Sequence, residues 1–313
     1  MSIISNLLNA FDGNPFKLSE AYEACPTVNK ESVRSRIYEN LGTVFSKIGR
    51  GVYLARESDC IVIEGNGRDL SFLNDASIDC IITDHPWSDK KSNKGGNRNF
   101  AEYDVFEYTA EDFLEKSRVL KEGSFLCEVI PAENENNFDY LYRIKKMAQE
   151  AGFEYYAKVP WIKGSFVSNT GRKAKNSEDL MIFSKGKARA LRIDAKKTKN
   201  TGSECFMSGT NRMLPTEFNV PPVKRKEVYA QSQKPVELFE QLLEYLTKEN
   251  EIVLDQFAGS GSVGKACRKT GRKSILIEKK HELVERIASE LDCISFPFDP
   301  ELQAETGNKK ISY

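Results

Sequence analysis

The sequence predicts an α/β protein, in which a mostly parallel sheet carries helices on both faces and follows a small N-terminal helical module. Two observations lead there. From residue 61 onward, short and nearly continuous apolar runs alternate with helical patterns, as expected of strands buried on both faces. Before residue 57 the pattern differs: two helical stretches precede two short β-type runs. A chain of 313 residues has room for one large domain plus such a module. The expected boundary divides residues 1–56 from 57–313.

In the module, residues 18–24 are expected to be helical, with Ser19 as N-cap and Pro26 as the break. Residues 29–39 form a second helix. Its apolar stripe is Val33, Ile37 and Tyr38, and Lys30, Arg34 and Arg36 lie mostly off that stripe. Residues 43–47 and 52–55 pair through Ile48-Gly49-Arg50-Gly51, a hairpin with a basic tip. Two helices and such a hairpin resemble a winged helix-turn-helix. In that family the second helix enters the major groove and the wing touches the backbone. The plainer reading is a helical cap on the larger domain.

In the larger domain, strands are expected at 61–64, 78–83, 124–130, 154–159, 180–184, 251–255 and 274–278. Helices are expected at 109–120, 138–151, 235–246, 264–270 and 282–291, the third opening on Pro235 near N1 and the fourth ending at Gly271. The stretch from Lys185 breaks this rhythm. Between 185 and 226 it carries eleven basic residues against three acidic ones. A long irregular insertion with concentrated positive charge points to a polyanion contact, the alternative being a solvated loop. We take 185–230 as the candidate target-recognition region.

Composition narrows the function. Lys and Arg total 46, and so do Asp and Glu, which excludes a polybasic protein but allows a local basic face. With 40% hydrophobic and 29% charged residues, the chain reads as a soluble globular protein. No apolar run nears the roughly 18 residues of a membrane span. The first twelve residues lack a basic segment and a small-residue cleavage site, so no secretory signal is expected. Seven scattered cysteines without a C-x-x-C pair read as reduced thiols of a cytoplasmic protein. Only His85 and His281 are available, which disfavours a Cys/His zinc site and restricts any Ser-His-Asp triad. No metal is expected.

Two motifs carry chemistry. Residues 252–264 read strand, glycine turn, helix, through Asp255-Gln256-Phe257-Ala258-Gly259-Ser260-Gly261. Glycines there admit a ligand to the backbone, and the helix N-terminus offers free N–H groups. Glu278 closes the following strand, where an acid commonly holds ribose hydroxyls. Gly259, Gly261 and Gly264 also satisfy G-x-G-x-x-G, so an NAD-binding domain must be weighed. Too few residues follow Glu278 to finish such a domain, so the sheet must be completed by earlier strands. The second motif ends the strand at 78–83, in Asp84-His85-Pro86-Trp87. The carboxyl end of a parallel strand is where α/β sheets place ligands. Asp84 can accept from an amino group, Trp87 offers a stacking plate and Pro86 stiffens the turn. That set suits an exocyclic amine on a flat aromatic ring, held so that its lone pair meets an electrophilic methyl. Such a base must leave the duplex stack.

With these motifs in this order, the chain resembles the β permutation class of amino-methylating DNA methyltransferases. Asp255 and Phe257-Ala258-Gly259-Ser260-Gly261 match its S-adenosylmethionine loop, and Gln233-Lys234-Pro235-Val236-Glu237-Leu238 matches its K-P-x-x-L segment. Arg118-Val119-Leu120-Lys121-Glu122-Gly123, Trp161-Ile162-Lys163, Asn176-Ser177-Glu178-Asp179 and the segment from Gly65 to Asp69 match further features. The resemblance implies a Rossmann-like methyltransferase fold with circularly permuted motif order. It implies S-adenosylmethionine held by Asp255, Phe257, Ala258, Gly259, Ser260, Gly261, Glu278, Lys234, Pro235 and Asp69. Catalysis would fall to Asp84, His85, Pro86 and Trp87. Asp at the first position favours adenine N6 over cytosine N4; His85 departs from the usual Pro, and Trp87 resembles the D-P-P-W of RNA adenine enzymes. Duplex DNA would meet Lys30, Arg34, Arg36, Arg50, Lys163, Arg172, Lys173, Lys196, Lys197, Lys199 and Arg212. A homodimer and a cognate restriction endonuclease are candidate partners, and no membrane is. Cytosine-N4 methylation, RNA methylation and an inactive DNA-binding regulator are the alternatives.

Overall fold

The computed structural model describes residues 2–11, 15–41, 45–49, 51–54, 59–87, 105–167, 173–191, 209–230 and 232–297. The module comprises α1 (Ile3–Phe11), β1 (Pro15–Lys17), α2 (Leu18–Glu23), α3 (Lys30–Glu39), β2 (Ser46–Gly49) and β3 (Val52–Leu54). Its strands make an antiparallel sheet in the order β1-β3-β2. Leu7, Phe16, Val33, Ile37, Phe45 and Tyr53 pack into a core of its own. The sequence reading lacked α1, although Ile3, Ile4, Leu7, Leu8 and Phe11 fall at helical spacing. Ser19 is not a cap: Glu20 reaches back to the Lys17 N–H at 2.6 Å, so the cap lies two residues earlier, at Lys17, and Ser19 lies in the first turn of α2. The Asn29 side chain caps α3, accepting the Ser32 N–H at 2.7 Å.

The large domain follows with β4 (Cys60–Glu64), β5 (Ile78–Thr83), α4 (Ala110–Val119), β6 (Leu120–Pro131), α5 (Phe138–Glu150), β7 (Phe153–Val167) and β8 (Lys173–Lys185). It continues with β9 (Phe218–Asn219), α6 (Val236–Leu246), β10 (Ile252–Asp255), α7 (Ser262–Lys269), β11 (Lys273–Glu278), α8 (His281–Glu290) and β12 (Ile294–Pro297). The sheet runs β12-β4-β11-β10-β5-β6-β8-β7-β9. From β12 to β6 every pairing is parallel; β8 runs antiparallel to both β6 and β7. Strand residues alternate between two layers. Ile81, Leu126 and Leu254 face the α4–α5 side with Phe113, Leu141 and Ile144. Cys80, Ile82, Cys127 and Val253 face the α6–α7 side with Leu242 and Ala266. That double burial is why these strands read as continuous apolar runs.

The arrangement joins the chain's ends. β10, late in sequence, lies beside β5, with Val253 opposite Cys80 and Leu254 opposite Ile81. Both strands therefore deliver their carboxyl-terminal loops to one place. The strands expected at 154–159 and 180–184 are only one end of each of two long hairpin arms, with Trp161 opposite Glu178. Residues 173–179 of the returning arm are mostly polar, which hides the strand pattern. The basic stretch from 185 is only partly free. Lys185 donates to the Leu120 carbonyl at 2.8 Å, and Arg189 forms a two-pronged pair with Glu251 at 2.6 Å on each arm.

Candidate active site

Asp84 leaves the end of β5 and accepts a hydrogen bond from Lys234 Nζ, contributed by the segment before α6. Lys234 also donates to the Ser232 carbonyl at 3.1 Å and lies 3.5 Å from Glu178 Oε2. Glu178 Oε1 in turn accepts from Lys163. Charges thus alternate from Lys163 through Glu178 and Lys234 to Asp84. Burial pushes the Asp84 carboxyl above its ordinary value, and the Lys234 charge opposes the rise without cancelling it. Burial alone would lower Lys234, yet Asp84 and then Glu178 hold its ammonium above the ordinary lysine range. Lys234 is therefore charged.

The glycine loop expected to hold the cofactor follows β10. Asp255 is 4% exposed and its Oδ1 accepts the Phe257 N–H at 3.1 Å; burial raises its carboxyl to about 7. Glu278, at the end of β11, accepts the Gly259 N–H and the Lys280 N–H, each at 2.8 Å. Gly261, the N-cap of α7, has φ +70°, and a Cβ there would also press on Ile287 at 3.0 Å. The buried Ala258 donates its N–H to the Ile277 carbonyl at 2.9 Å. Ser260 and Ser262 share a hydroxyl bond at 2.9 Å, and Ser262 donates to the Lys234 carbonyl at 2.7 Å, which ties the loop to the Lys234-Pro235 wall. Gly67 packs directly beneath the loop: a Cβ there would fall 1.8 Å from the Gln256 carbonyl oxygen. Asp69 serves its own turn, accepting the Ser71 N–H at 2.9 Å.

This donor set fits a cationic nucleoside better than a dinucleotide. A pyrophosphate needs free loop amides, and the Gly259 N–H is taken by a carboxylate. Glu278 accepts backbone N–H groups from Gly259, Lys279 and Lys280 and keeps about one of its roughly four lone-pair sites, enough for a ribose hydroxyl. Above Gly259 a Cβ would meet nothing nearer than 3.9 Å, so the loop is open on that side. Three carboxylates, Asp84, Asp255 and Glu278, favour positive charge.

His85 turns the other way. It is 1% exposed, and its Nε2 lies 2.7 Å from Tyr140 Oη. Trp87 is half-buried, and the Pro86 carbonyl accepts the Phe106 N–H at 3.2 Å. Behind His85 lies a cluster the sequence reading did not include. Glu128 and Lys116 are each 0% exposed and hydrogen-bonded to one another, and Tyr108 Oη donates to Glu128 at 3.1 Å. A glutamate inside the apolar run Phe125-Leu126-Cys127-Glu128-Val129-Ile130 was the available signal.

The residues expected at nucleic acid are spread out. Lys30 and Arg34 are exposed on α3, and Arg36 beside them pairs with Glu39 at 3.1 Å. Lys163 is drawn into the site through Glu178, and Arg212 is exposed 3.5 Å from Glu244. Lys173 is the first residue of β8. Arg50, Arg172, Lys196, Lys197 and Lys199 lie outside the described residues. His281 is exposed and faces Glu64 at 2.7 Å; the Glu64 carboxylate holds it above the usual histidine value.

Comparison with known proteins places the chain in a family. A family model described as DNA methylase, for N6 and N4 methyltransferases, matches residues 78–290. The Type II methyltransferase M.HpaI of Haemophilus parainfluenzae is 27% identical over 239 residues, covering 74% of this chain and 73% of that protein. Among solved structures, M1.HpyAVI in complex with SAM superposes with a TM-score of 0.52 at 19% identity, covering 74% of this chain and 99% of that one. The PvuII DNA methyltransferase, specific for cytosine N4, gives 0.51 at 17% identity over 74% of this chain and 86% of its own. These two likenesses show the Rossmann-like methyltransferase fold. Residues 2–54 precede the matched segment.

Proposed function

Because the chain belongs to this N6/N4 DNA methylase family, and is therefore a DNA amino-methyltransferase, we propose that it methylates the exocyclic N6 amine of adenine in duplex DNA. The observation that carries the reading is the juxtaposition of Asp84 with the Asp255–Glu278 nucleoside loop at the neighbouring ends of β5 and β10. S-adenosylmethionine, the cofactor of the family, supplies an electrophilic methyl on a sulfonium. Asp255 and Glu278 hold the nucleoside and favour its positive charge, with Phe257 and the Lys234-Pro235 segment as walls.

The base must be drawn out of the duplex to reach the site. Trp87 offers its face to the extruded ring. Asp84 accepts from the amine, which is a poor nucleophile while its lone pair is delocalised. Holding the N–H directs that lone pair at the methyl, so transfer is a direct displacement governed by positioning. The amine then sheds a proton, and Asp84, whose burial raises its proton affinity, can take it. The carboxylate at position 84, rather than the serine typical of cytosine-N4 enzymes, supports adenine.

The test is unmethylated duplex DNA, the purified protein and labelled cofactor, with the DNA digested to nucleosides and resolved by mass. We expect N6-methyladenine. N4-methylcytosine overturns the base assignment and keeps the fold, while label in RNA alone overturns the DNA substrate.

The proposal includes an accessory DNA grip by the N-terminal module, through Lys30, Arg34 and Arg36 on α3 and through Arg50. Changing Lys30 and Arg34 to alanine is expected to raise KM for DNA, leave kcat unchanged and flatten the salt dependence of binding by about two phosphate contacts. An unchanged salt slope removes the module from the interface. Arg172, Lys173, Lys196, Lys197, Lys199 and Arg212 extend the same grip. A homodimer, a paired restriction endonuclease and a cytoplasmic location belong to the proposal as well; among the described residues no helix is long and apolar enough to cross a membrane.

A further inference from the structure

We propose that His85 is a positioning residue: anchored to Tyr140, Tyr108 and the buried Glu128–Lys116 pair, it clips the 84–87 loop to the α4–α5 face and so aims Asp84 and Trp87. The inference rests on the methyl-transfer reading for its consequence, though not for its geometry.

The side-chain alternation of β5 continues past the strand's end. Ile81 packs into the α4–α5 layer and Ile82 into the α6–α7 layer. Asp84, two residues on from Ile82, reaches Lys234 beside α6, and His85, four residues on from Ile81, enters the α4–α5 layer. Extended backbone sends successive side chains to opposite faces. Holding His85 on one face therefore commits Asp84 to the other. No ring closure fixes φ at residue 85, so its side chain supplies the constraint.

The anchor is specific. Tyr140 Oη accepts the Tyr108 N–H at 3.1 Å and shares a hydrogen bond with His85 Nε2 at 2.7 Å. The other ring nitrogen, Nδ1, lies 3.9 Å from Glu128 Oε2. It lies against the Tyr108 ring with centroids 4.1 Å apart, and the Phe106 ring stands at 5.7 Å. Burial drives the imidazole well below the ordinary histidine value, and Lys116 adds to that, so it is neutral and able to accept.

The ion pair behind it has an electrostatic task. Thr83 lies opposite Glu128 across β5 and β6, which places Glu128 one residue from Asp84 along the strand. An unneutralised Glu128 would raise the cost of ionising Asp84. Lys116 cancels that charge, and the Tyr108 hydroxyl satisfies the remaining carboxylate oxygen. Buried ion pairs contribute little net stability, and where they are kept they can specify one arrangement.

The experiment uses the full chain with unmethylated duplex DNA and S-adenosylmethionine. Tyr140→Phe removes only the hydroxyl, His85→Leu removes its hydrogen-bond partner, and His85→Gln keeps a polar atom near the Nε2 position. Steady-state kinetics are paired with acrylamide quenching of tryptophan emission. The chain has two tryptophans, and Trp161 is 1% exposed, so quenching reports Trp87. We expect Tyr140→Phe and His85→Leu to lower kcat about tenfold or more, the equivalent of one lost hydrogen bond. The KM for cofactor should be unchanged, quenching of Trp87 should rise, and His85→Gln should recover part of both. Wild-type kcat and wild-type quenching in Tyr140→Phe overturn the clip, even if the variant melts earlier. If the native protein methylates no base, the functional reading fails alone, and quenching still decides the clip: a rise in His85→Leu supports it and no change overturns it.

Discussion

Replacing Asp84 by asparagine is expected to lower methyl transfer about a thousandfold, or about 4 kcal/mol of transition-state stabilisation. The amide keeps the shape of the carboxylate but loses its charge and half of its acceptor capacity. Lys234 already occupies one acceptor position, so the amine of the base would compete for a single neutral oxygen. The charge matters most as the amine nitrogen becomes positive. Cofactor binding should be nearly intact, because Asp255, Glu278 and the loop amides lie on β10 and β11 rather than β5. The native enzyme should also show an acid limb. Burial raises Asp84 above the ordinary carboxylate value, so activity is lost as pH falls through that raised value, and Asp84→Asn should abolish this limb. Single-turnover transfer of labelled methyl and calorimetric titration of cofactor check these expectations. Near-native transfer by the variant would remove Asp84 from the reaction.

Lys116→Met is expected to be the most damaging change to stability. It removes one half of a fully buried ion pair and leaves Glu128 without its cation, a loss of about 3–5 kcal/mol. For a domain of this size that is a fall in Tm of about 10 °C. The deficit should depend on pH with a definite sign. Burial raises the Glu128 carboxyl, and removing Lys116 raises it further. A group raised in the folded state stabilises the fold when protonated and loses that contribution as pH rises. The variant should therefore lie closest to the native protein in acid and furthest from it in alkali. The double change Lys116→Met with Glu128→Gln should recover much of the loss, since no unpaired charge then remains. Thermal melts across pH check both; a deficit independent of pH would mean that the cavity, and not the charge, dominates.

Much of this architecture was legible because it is written locally. The apolar runs of β5, β10 and β11 and the glycine turn at 259–261 each need only neighbouring residues. Asp84 and Glu278 were legible for the same reason, each ending a recognisable strand. Short elements were not. β1 and β12, three and four residues long, carry too little pattern to separate from loops. The β7–β8 hairpin was underestimated because Pro160 and Gly164 interrupt the strand pattern of β7 and residues 173–179 of β8 are mostly polar.

Asp112 shows the same limit. Its carboxylate caps α4 by accepting the Thr109 N–H at 2.7 Å, a local interaction that spacing alone can suggest. The Arg68 fork that closes on it, at 2.8 and 2.7 Å, comes from 44 residues away and is visible only when folded.

By itself the sequence determined the fold class, the order of its motifs, and the candidate loop and carboxylate on which the proposed function rests. Each depends on strand periodicity, glycine conformation or the end of one strand, all properties of contiguous residues. Only the tertiary structure decided what surrounds that carboxylate. Lys234 meets Asp84 from 150 positions away, Glu178 comes from the antiparallel arm, and His85 joins Tyr108, Tyr140, Glu128 and Lys116 behind the loop. These partners meet because the sheet order places β5 between β10 and β6. Strand order is the outcome of burying the whole sheet between two helical layers, and no single segment carries it.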